Sequence, residues 1–543
     1  MKLSILSAST LTFLLGFSSF GQKGSSEVKN LKNINPNAIK ATMTFLADDL
    51  IEGRQPGTKG FAIASKYVET QMIRMGLKPA MPNGLYKQEV PLKKGIVSEK
   101  LSSMSLDDES LSYGQEFIVS PYMSQAESTV SAPLVFVGYG ISAPEMQYDD
   151  YKDIEVKGKI VVMFNAAPES FPSNQRAYFT TNPVKYNEAI KRGAVGIISV
   201  NLPNDKRSTW EATVRRTKQG TFKWINKEGQ PNDAFPELKA VATFNPDKAE
   251  KLFAKSGKSF SDIVEKTKVG KSESFDLHIS ARIQVNTQFN FVAGSNLVGV
   301  IEGSDPVLKD EYIVYTAHLD HFGIGAPVKG DSIYNGAHDN ASGVAILLEI
   351  AQTFKNLPSA PKRSIVFTVV TGEEFGLLGS DYFVSNNPLS GRIVADLAID
   401  MPFFFHPVLD IVPYGAQHSS LNEQVQKTAK LLGLGISPDP FPEQVVFIRS
   451  DHFSFIKKGI PALFIKSGFK TVPSDFEDRS KTDVAWRSSI YHTPQDDMSQ
   501  AFDFDAAATH VKVNYLIGYY VAQDKKSPDW NIGDFFGGKF RKK

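Results

Sequence analysis

The chain has no cysteine among its 543 residues. That absence excludes disulfides, a thiol nucleophile and any metal site built on thiolates. Stability must therefore come from buried apolar surface, with metal as a further contributor if metal binds. Charge of one sign is also missing: 60 Lys and Arg stand against 59 Asp and Glu, a formal net charge of +1. No global field draws the chain to nucleic acid or to an acidic membrane. Long apolar runs are scarce as well. The one at residues 3–17 falls short of the roughly 20 residues a spanning helix needs. With Lys2 before it and Ser19-Phe20-Gly21 after it, it reads as an export signal cut before Gln22. No later segment is long and apolar enough to span a bilayer, so the expected location is the periplasm or the outside of a bacterium.

What is present reads as globular. Apolar residues make up 41% of the chain and charged residues 22%, which suits a packed core rather than disorder. The length calls for two or three domains. After the signal at 1–21, residues 22–92 have a helical pattern, with Gly76 as the stop of a helix expected over 61–75. Residues 93–285 change to short β-like runs at 134–137, 160–164 and 195–200, with a helix over 186–192 and a polar loop over 210–233. This stretch reads as an inserted β-rich module. Residues 286–525 alternate strand and helix: apolar runs at 312–317, 364–370, 393–399, 409–413 and 461–465, and helices at 343–355 and 421–432. That rhythm predicts an α/β fold with a mainly parallel sheet between helices. Residues 526–543 end in a Lys-rich run and read as a solvated tail.

Three polar runs follow strand-like segments: A-H-L-D-H-F-G at 317–323, G-A-H-D-N-A-S-G at 336–343 and T-G-E-E-F-G-L-L-G at 371–379. Asp400 follows a fourth apolar run, and His492 stands in Y-H-T-P-Q-D-D. Open α/β sheets bind ligands at the carboxyl ends of their strands, where these clusters fall. His318 and Asp320 share a face of an extended segment, so the Asp320 carboxylate is expected on the other ring nitrogen of His318. Asp339 precedes the helix over 343–355. It fits either an N-cap or a carboxylate shared by two metal ions. The side chains of Glu373 and Glu374 diverge, so one can ligate while the other faces a water. Asp400 is an ionisable group in apolar surroundings, costly unless paired or metal-bound. Together the set suits two zinc ions sharing a carboxylate. His338 reads as structural, and Asp496 and Asp497 as orienting His492 or capping a helix over 501–510. The S-D-H run at 450–452 lacks the G-x-S-x-G elbow of a serine hydrolase. His278, His406, His418 and His510 have no supporting neighbours.

In order and context these runs resemble the secreted di-zinc aminopeptidases of metallopeptidase family 28. The likeness extends to L-x-x-D-x-x-E-G-R at 46–54. In the middle, G-Y-G-I at 138–141, Y-D-D-Y at 148–151, V-K-G-K-I-V-V at 156–162 and A-I-K-R-G-A-V-G at 189–196 resemble the protease-associated domain often inserted in this family. The resemblance implies two zinc ions per chain. His318 and Asp400 would hold one, Glu374 and His492 the other, and Asp339 would bridge. Glu373 would be the general base, and Tyr491 would polarise the scissile carbonyl. The substrate would be a peptide or protein, and the insert would shape access or dimerisation. The chain departs from the family at Ala398, at Pro402-Phe403-Phe404 and in a longer 469–490 segment, all of which bear on pocket shape. Rival readings are a carboxypeptidase on acidic dipeptides (with Arg449 as a candidate carboxylate contact), a one-zinc glutaminyl-cyclase-like acyltransferase, and a binding protein with a decayed site.

Overall fold

The computed structural model describes residues 25–203, 209–268, 272–472 and 478–541. The expected export signal at 1–21 lies outside them. Among the described residues no helix is long and apolar enough to cross a membrane.

Four β-rich apolar runs form a parallel core in the order Ser364–Val370, Glu311–His318, Arg392–Ala398, Ala462–Ser467. Further strands extend it on both sides, all paired antiparallel except Gly435–Ile436, which pairs parallel with Asp410–Tyr414. Ser274–Ile301, Lys87–Val97 and Thr221–Trp224 follow beyond Ser364–Val370; Asp410–Tyr414 and Gly435–Ile436 follow beyond Ala462–Ser467. The sheet is thus mixed, with helices on both faces, as an α/β fold requires. Successive residues point to opposite faces. Ile313, Tyr315, Ala317, Ile365, Phe367 and Val369 pack beneath the helices Pro36–Leu46, Lys59–Arg74, Ser342–Lys355 and Phe504–Gln523. Val314 and Val366 face the opposite way, toward Phe383, Phe453 and Phe455. Gly76 ends Lys59–Arg74 with φ at +66°, a left-handed turn that glycine adopts at little cost. Register places the chemistry: His318 pairs with Val370, and Thr316 with Ala398. The polar residues after these strands therefore emerge at one edge of the sheet.

A second sheet has the order Glu109–Ser110, Ser103–Leu106, Ser274–Ile301, Glu127–Val137, Ile160–Phe164, Gly196–Val200, Ala240–Phe244, Phe117–Val119. One strand belongs to both sheets. Residues 274–286 of Ser274–Ile301 pair in the second sheet and residues 287–301 in the first. The 210–233 segment differs from the expected loop. It forms a helix, Trp210–Thr217, and a strand, Thr221–Trp224, that returns to the first sheet beside Leu92–Gly95. A strand of four residues carries too little periodicity to be read locally; its partner decides its conformation. The helix expected over 501–510 starts later, at Phe504, capped by Asp503, and runs to Gln523.

Residues 535–540 also depart from a solvated tail. They form a short helix that buries Phe536 completely against Tyr178, His418 and Phe447. Burying one such ring is worth roughly 1.5–3 kcal/mol. His418, without supporting neighbours in the sequence, has a structural place here. Its Nδ1 lies 2.6 Å from Asp534 and its Nε2 2.7 Å from Asn174.

Candidate metal centre

His318, Asp339, Glu373, Glu374, Asp400 and His492 converge at the carboxyl edge of the parallel strands. The two oxygens of Asp339 divide between the histidines. Oδ1 lies 3.2 Å from His318 Nε2, and Oδ2 lies 3.2 Å from His492 Nε2. Asp400 Oδ1 is 3.6 Å from His318 Nε2, and Glu374 Oε2 is 3.1 Å from His492 Nε2. Glu373 stands slightly further out, 3.9 Å from His318 Nε2. His492 is held with φ at +56°, a left-handed backbone that non-glycine residues adopt mainly where surroundings enforce it.

The contacts are close but do not satisfy one another. His318 Nε2, His492 Nε2 and Asp400 Oδ1 are buried with no hydrogen-bond partner. Buried polar atoms are almost always paired, so three orphans pointing into one space fit a cation that accepts their lone pairs. Imidazole and carboxylate donors without thiolate suit zinc. The ligand atoms of His318, Glu373 and Asp400 lie within 4.8 Å of one another, as do those of His321, Asp339 and Glu374.

Electrostatics separates the adjacent glutamates. Burial pushes the Glu373 carboxyl well above its ordinary range; Asp400 and Glu374 add to this, and His318 opposes it. Burial and Asp339 push Glu374 upward too, but His492 and His321 outweigh them and hold it at about 2. Burial pushes Asp339 upward too, but the adjacent His318, His492 and His321 rings outweigh it and hold it well below the usual carboxylate range. The two adjacent glutamates thus stand in opposite electrostatic surroundings.

The supporting residues are mostly bound through backbone. His318 Nδ1 donates to the backbone carbonyl of Asp320 at 3.1 Å, not to its carboxylate as expected. That carboxylate instead accepts from the backbone N–H groups of Glu373 at 3.1 Å and Glu374 at 3.4 Å. Asp496 accepts from the N–H groups of His338 and Asp339, both at 2.9 Å, so it fixes the Asp339 loop and not His492. Asn340 clamps both sides of Asp400: its amide donates to Ile399 and its oxygen accepts from Met401. The Asp339–Asn340 peptide is cis. Arg54, from the E-G-R run, is fully buried and donates to the carbonyls of Leu46, Leu319, Asn335 and Gly336. Burial lowers its pKa to about 10. His321, absent from the expected set, places Nδ1 2.5 Å from Glu374 Oε1; only the second histidine of H-x-D-H hinted at it.

His338 makes no hydrogen bond through either ring nitrogen. Phe403, Phe404, Phe405, Trp486 and Phe502 surround it, and burial drives its pKa far below the ordinary value. The unusual 402–405 and 469–490 segments thus meet around this ring. Tyr491 stacks on His492 with ring centroids 3.6 Å apart, and its phenol oxygen accepts from Arg449 at 2.8 Å. Ser450, Asp451 and His452 are buried with no hydrogen bond among Ser450 Oγ, the Asp451 oxygens and the His452 ring. They form no serine triad.

Paired imidazole and carboxylate half-sites at the strand ends of a mixed α/β sheet make a candidate metal centre. Residues 296–516 match the model of peptidase family M28. Aminopeptidase NAALADL1 of Mus musculus is 32% identical over 142 residues, 25% of this chain and 17% of that protein. Probable glutamate carboxypeptidase LAMP1 of Arabidopsis thaliana is 30% identical over 187 residues, 32% of this chain and 26% of that protein. The chain thus spans 17% and 26% of the length of these curated relatives. The solved aminopeptidase from Aneurinibacillus sp. strain AM-1 has the same fold, with a TM-score of 0.55 at 18% identity over 92% of this chain and 97% of that one.

Proposed function

We propose that the chain is a zinc-dependent aminopeptidase that takes two zinc ions and removes N-terminal residues from peptides. The observation that carries this reading is the division of Asp339: one oxygen serves the His318 and Asp400 side, the other the His492 and Glu374 side. Bound zinc would supply Lewis-acid charge that polarises the peptide carbonyl and acidifies water. Glu373, buried and raised in pKa, takes the proton of the attacking water and delivers it to the leaving amine. Tyr491, braced by Arg449, donates its O–H to the developing oxyanion. Asp320, Asp496 and Arg54 hold the loops that aim these groups. In the same reading the second sheet is a protease-associated domain that shapes access, and residues 1–21 direct export.

The names of the relatives support exopeptidase chemistry on both termini, since aminopeptidases and a probable glutamate carboxypeptidase are among them. The test is metal analysis of the pure protein with a hydrolysis screen over aminoacyl, dipeptidyl and C-terminal glutamate substrates, with and without chelator. About two zinc ions per chain and chelator-sensitive release of N-terminal residues are expected. Cleavage confined to C-terminal glutamate would replace the aminopeptidase reading with the carboxypeptidase one. One ion would favour the cyclase-like reading. No ion and no turnover would favour the decayed-site one.

A further inference from the structure

We infer that His321 is a positioning residue for the second half-site: by holding one oxygen of Glu374 it aims the other at the metal ion. The inference rests on the two-zinc reading above and adds to it a residue outside the expected ligand set.

The H-x-D-H run places His321 just past the end of strand Glu311–His318, and its side chain is fully buried. Its backbone N–H donates to the Arg54 carbonyl at 3.4 Å. Gly336 makes room for the ring: a Cβ there would fall 2.7 Å from both Cγ and Cδ2 of the imidazole. The loop that carries Asp339 thus closes directly over His321. Nε2 has no hydrogen-bond partner, so the ring's one bond through a nitrogen runs from Nδ1 to Glu374 Oε1 at 2.5 Å. The Glu374 main chain is fixed as well, its N–H donating to the Asp320 carboxylate at 3.4 Å. With main chain and one oxygen held, the second oxygen is aimed. Oε2 lies 3.1 Å from His492 Nε2, which faces Asp339 Oδ2 at 3.2 Å.

Distance separates a ligand from a prop. Two ligands bound to one zinc at about 2.0 Å stand roughly 3.3 Å apart in a tetrahedron. The contacts of His492 with Glu374 and Asp339, and of His318 with Asp339, have that spacing at 3.1–3.2 Å. His321 and Glu374 are closer, at the length of a short hydrogen bond to a carboxylate. The ligand atoms of His321, Asp339 and Glu374 do lie within 4.8 Å of one another. The 2.5 Å contact nevertheless makes His321 a donor to Glu374 and not a ligand beside it. A buried ring pinned on both sides loses little freedom in that role, so the carboxylate is oriented before metal arrives. Removing such an orienting partner typically costs about 10–100-fold in metal affinity.

The test titrates the parent protein and its variants with zinc against a competing chelator, which reads metal affinity whether or not peptides are cleaved. His321→Phe keeps the ring volume and removes the donor. His321→Asn gives up the ring and keeps an N–H where Nδ1 stands. In His321→Phe one of the two zinc affinities should fall about 10–100-fold while the other holds, and the same step should fall in Glu374→Gln. His321→Asn should recover part of the loss, which a role in packing alone would not allow. Adding His321→Phe to Glu374→Gln should weaken zinc no further, since the histidine acts through that carboxylate. Unchanged affinity in His321→Phe, no recovery in His321→Asn, or a further loss on top of Glu374→Gln overturns the inference. A parent protein that takes up one ion, weakened alike by His321→Phe and Glu374→Gln, would remove the two-zinc reading while leaving the role of His321 standing. A parent that takes up none removes both.

Discussion

Two buried carboxylate sites, one beside each large sheet, handle the same physical problem in opposite ways. Asp150, in the turn after Tyr148–Asp149, is buried, yet four donors meet it: the N–H groups of Tyr139 and Ile141 and the hydroxyls of Tyr148 and Ser272. At the edge of the first sheet, buried imidazole and carboxylate atoms face each other at 3.1–3.6 Å, and His318 Nε2, His492 Nε2 and Asp400 Oδ1 remain without hydrogen-bond partners. A buried charge that is fully bonded is architecture; buried lone pairs left unmet around a common space are a vessel for a cation. Both aspartates come from short polar motifs, so burial and motif alone do not separate them.

The same substitution at both places sharpens that contrast. Asp339→Asn should strip most of the zinc and abolish exopeptidase turnover, because one residue serves both half-sites; metal analysis beside an activity assay reads both effects. Retention of two ions would break the comparison. Glu373→Gln should keep the zinc yet lower kcat by roughly 10²–10⁴-fold; near-normal turnover would remove its proton role. Asp150→Asn should leave zinc content unchanged and alter only the pH dependence of stability. Burial raises the Asp150 pKa from 3.8 to about 6 despite its hydrogen bonds. The folded state therefore holds this proton to higher pH than the unfolded chain does. Stability from this group is greatest below pH 4 and declines as pH rises through 6, by about 2–3 kcal/mol. Denaturant midpoints at pH 4 and pH 6 should show that decline in the parent protein and lack it in Asp150→Asn.

Much of the first sheet was legible because its strands are long, apolar and bounded by turns. Ser364–Val370 and the helix Leu421–Leu432 fall where periodicity put them. The residues of the candidate centre were legible because chemistry-bearing side chains follow strand ends, and register does the rest. What stayed hidden acts through the backbone of distant segments. Nothing local in E-G-R tells that Arg54 will clasp carbonyls of residues 335 and 336, nearly 300 positions away. Nothing near Asp496 tells that it will hold the amides of His338 and Asp339. Asp320 was read from the alternation of side chains, which gives the right neighbourhood but not which atom of the residue does the bonding. The Trp210–Thr217 helix escaped because its place over the centre depends on a four-residue strand whose partner lies over 100 residues earlier.

The strand Ser274–Ile301 carries a consequence for attempts to remove or exchange the second sheet. It is not a cassette joined by two free linkers. A cut at residue 285 severs a continuous ladder, and the surviving half must still edge the first sheet beside Ser364–Val370 and Lys87–Val97. Changing its length by one residue between the sheets would turn one half's side chains inside out relative to the other. A transplant between relatives therefore has to carry the whole strand and preserve its parity, or the graft will exchange core for surface.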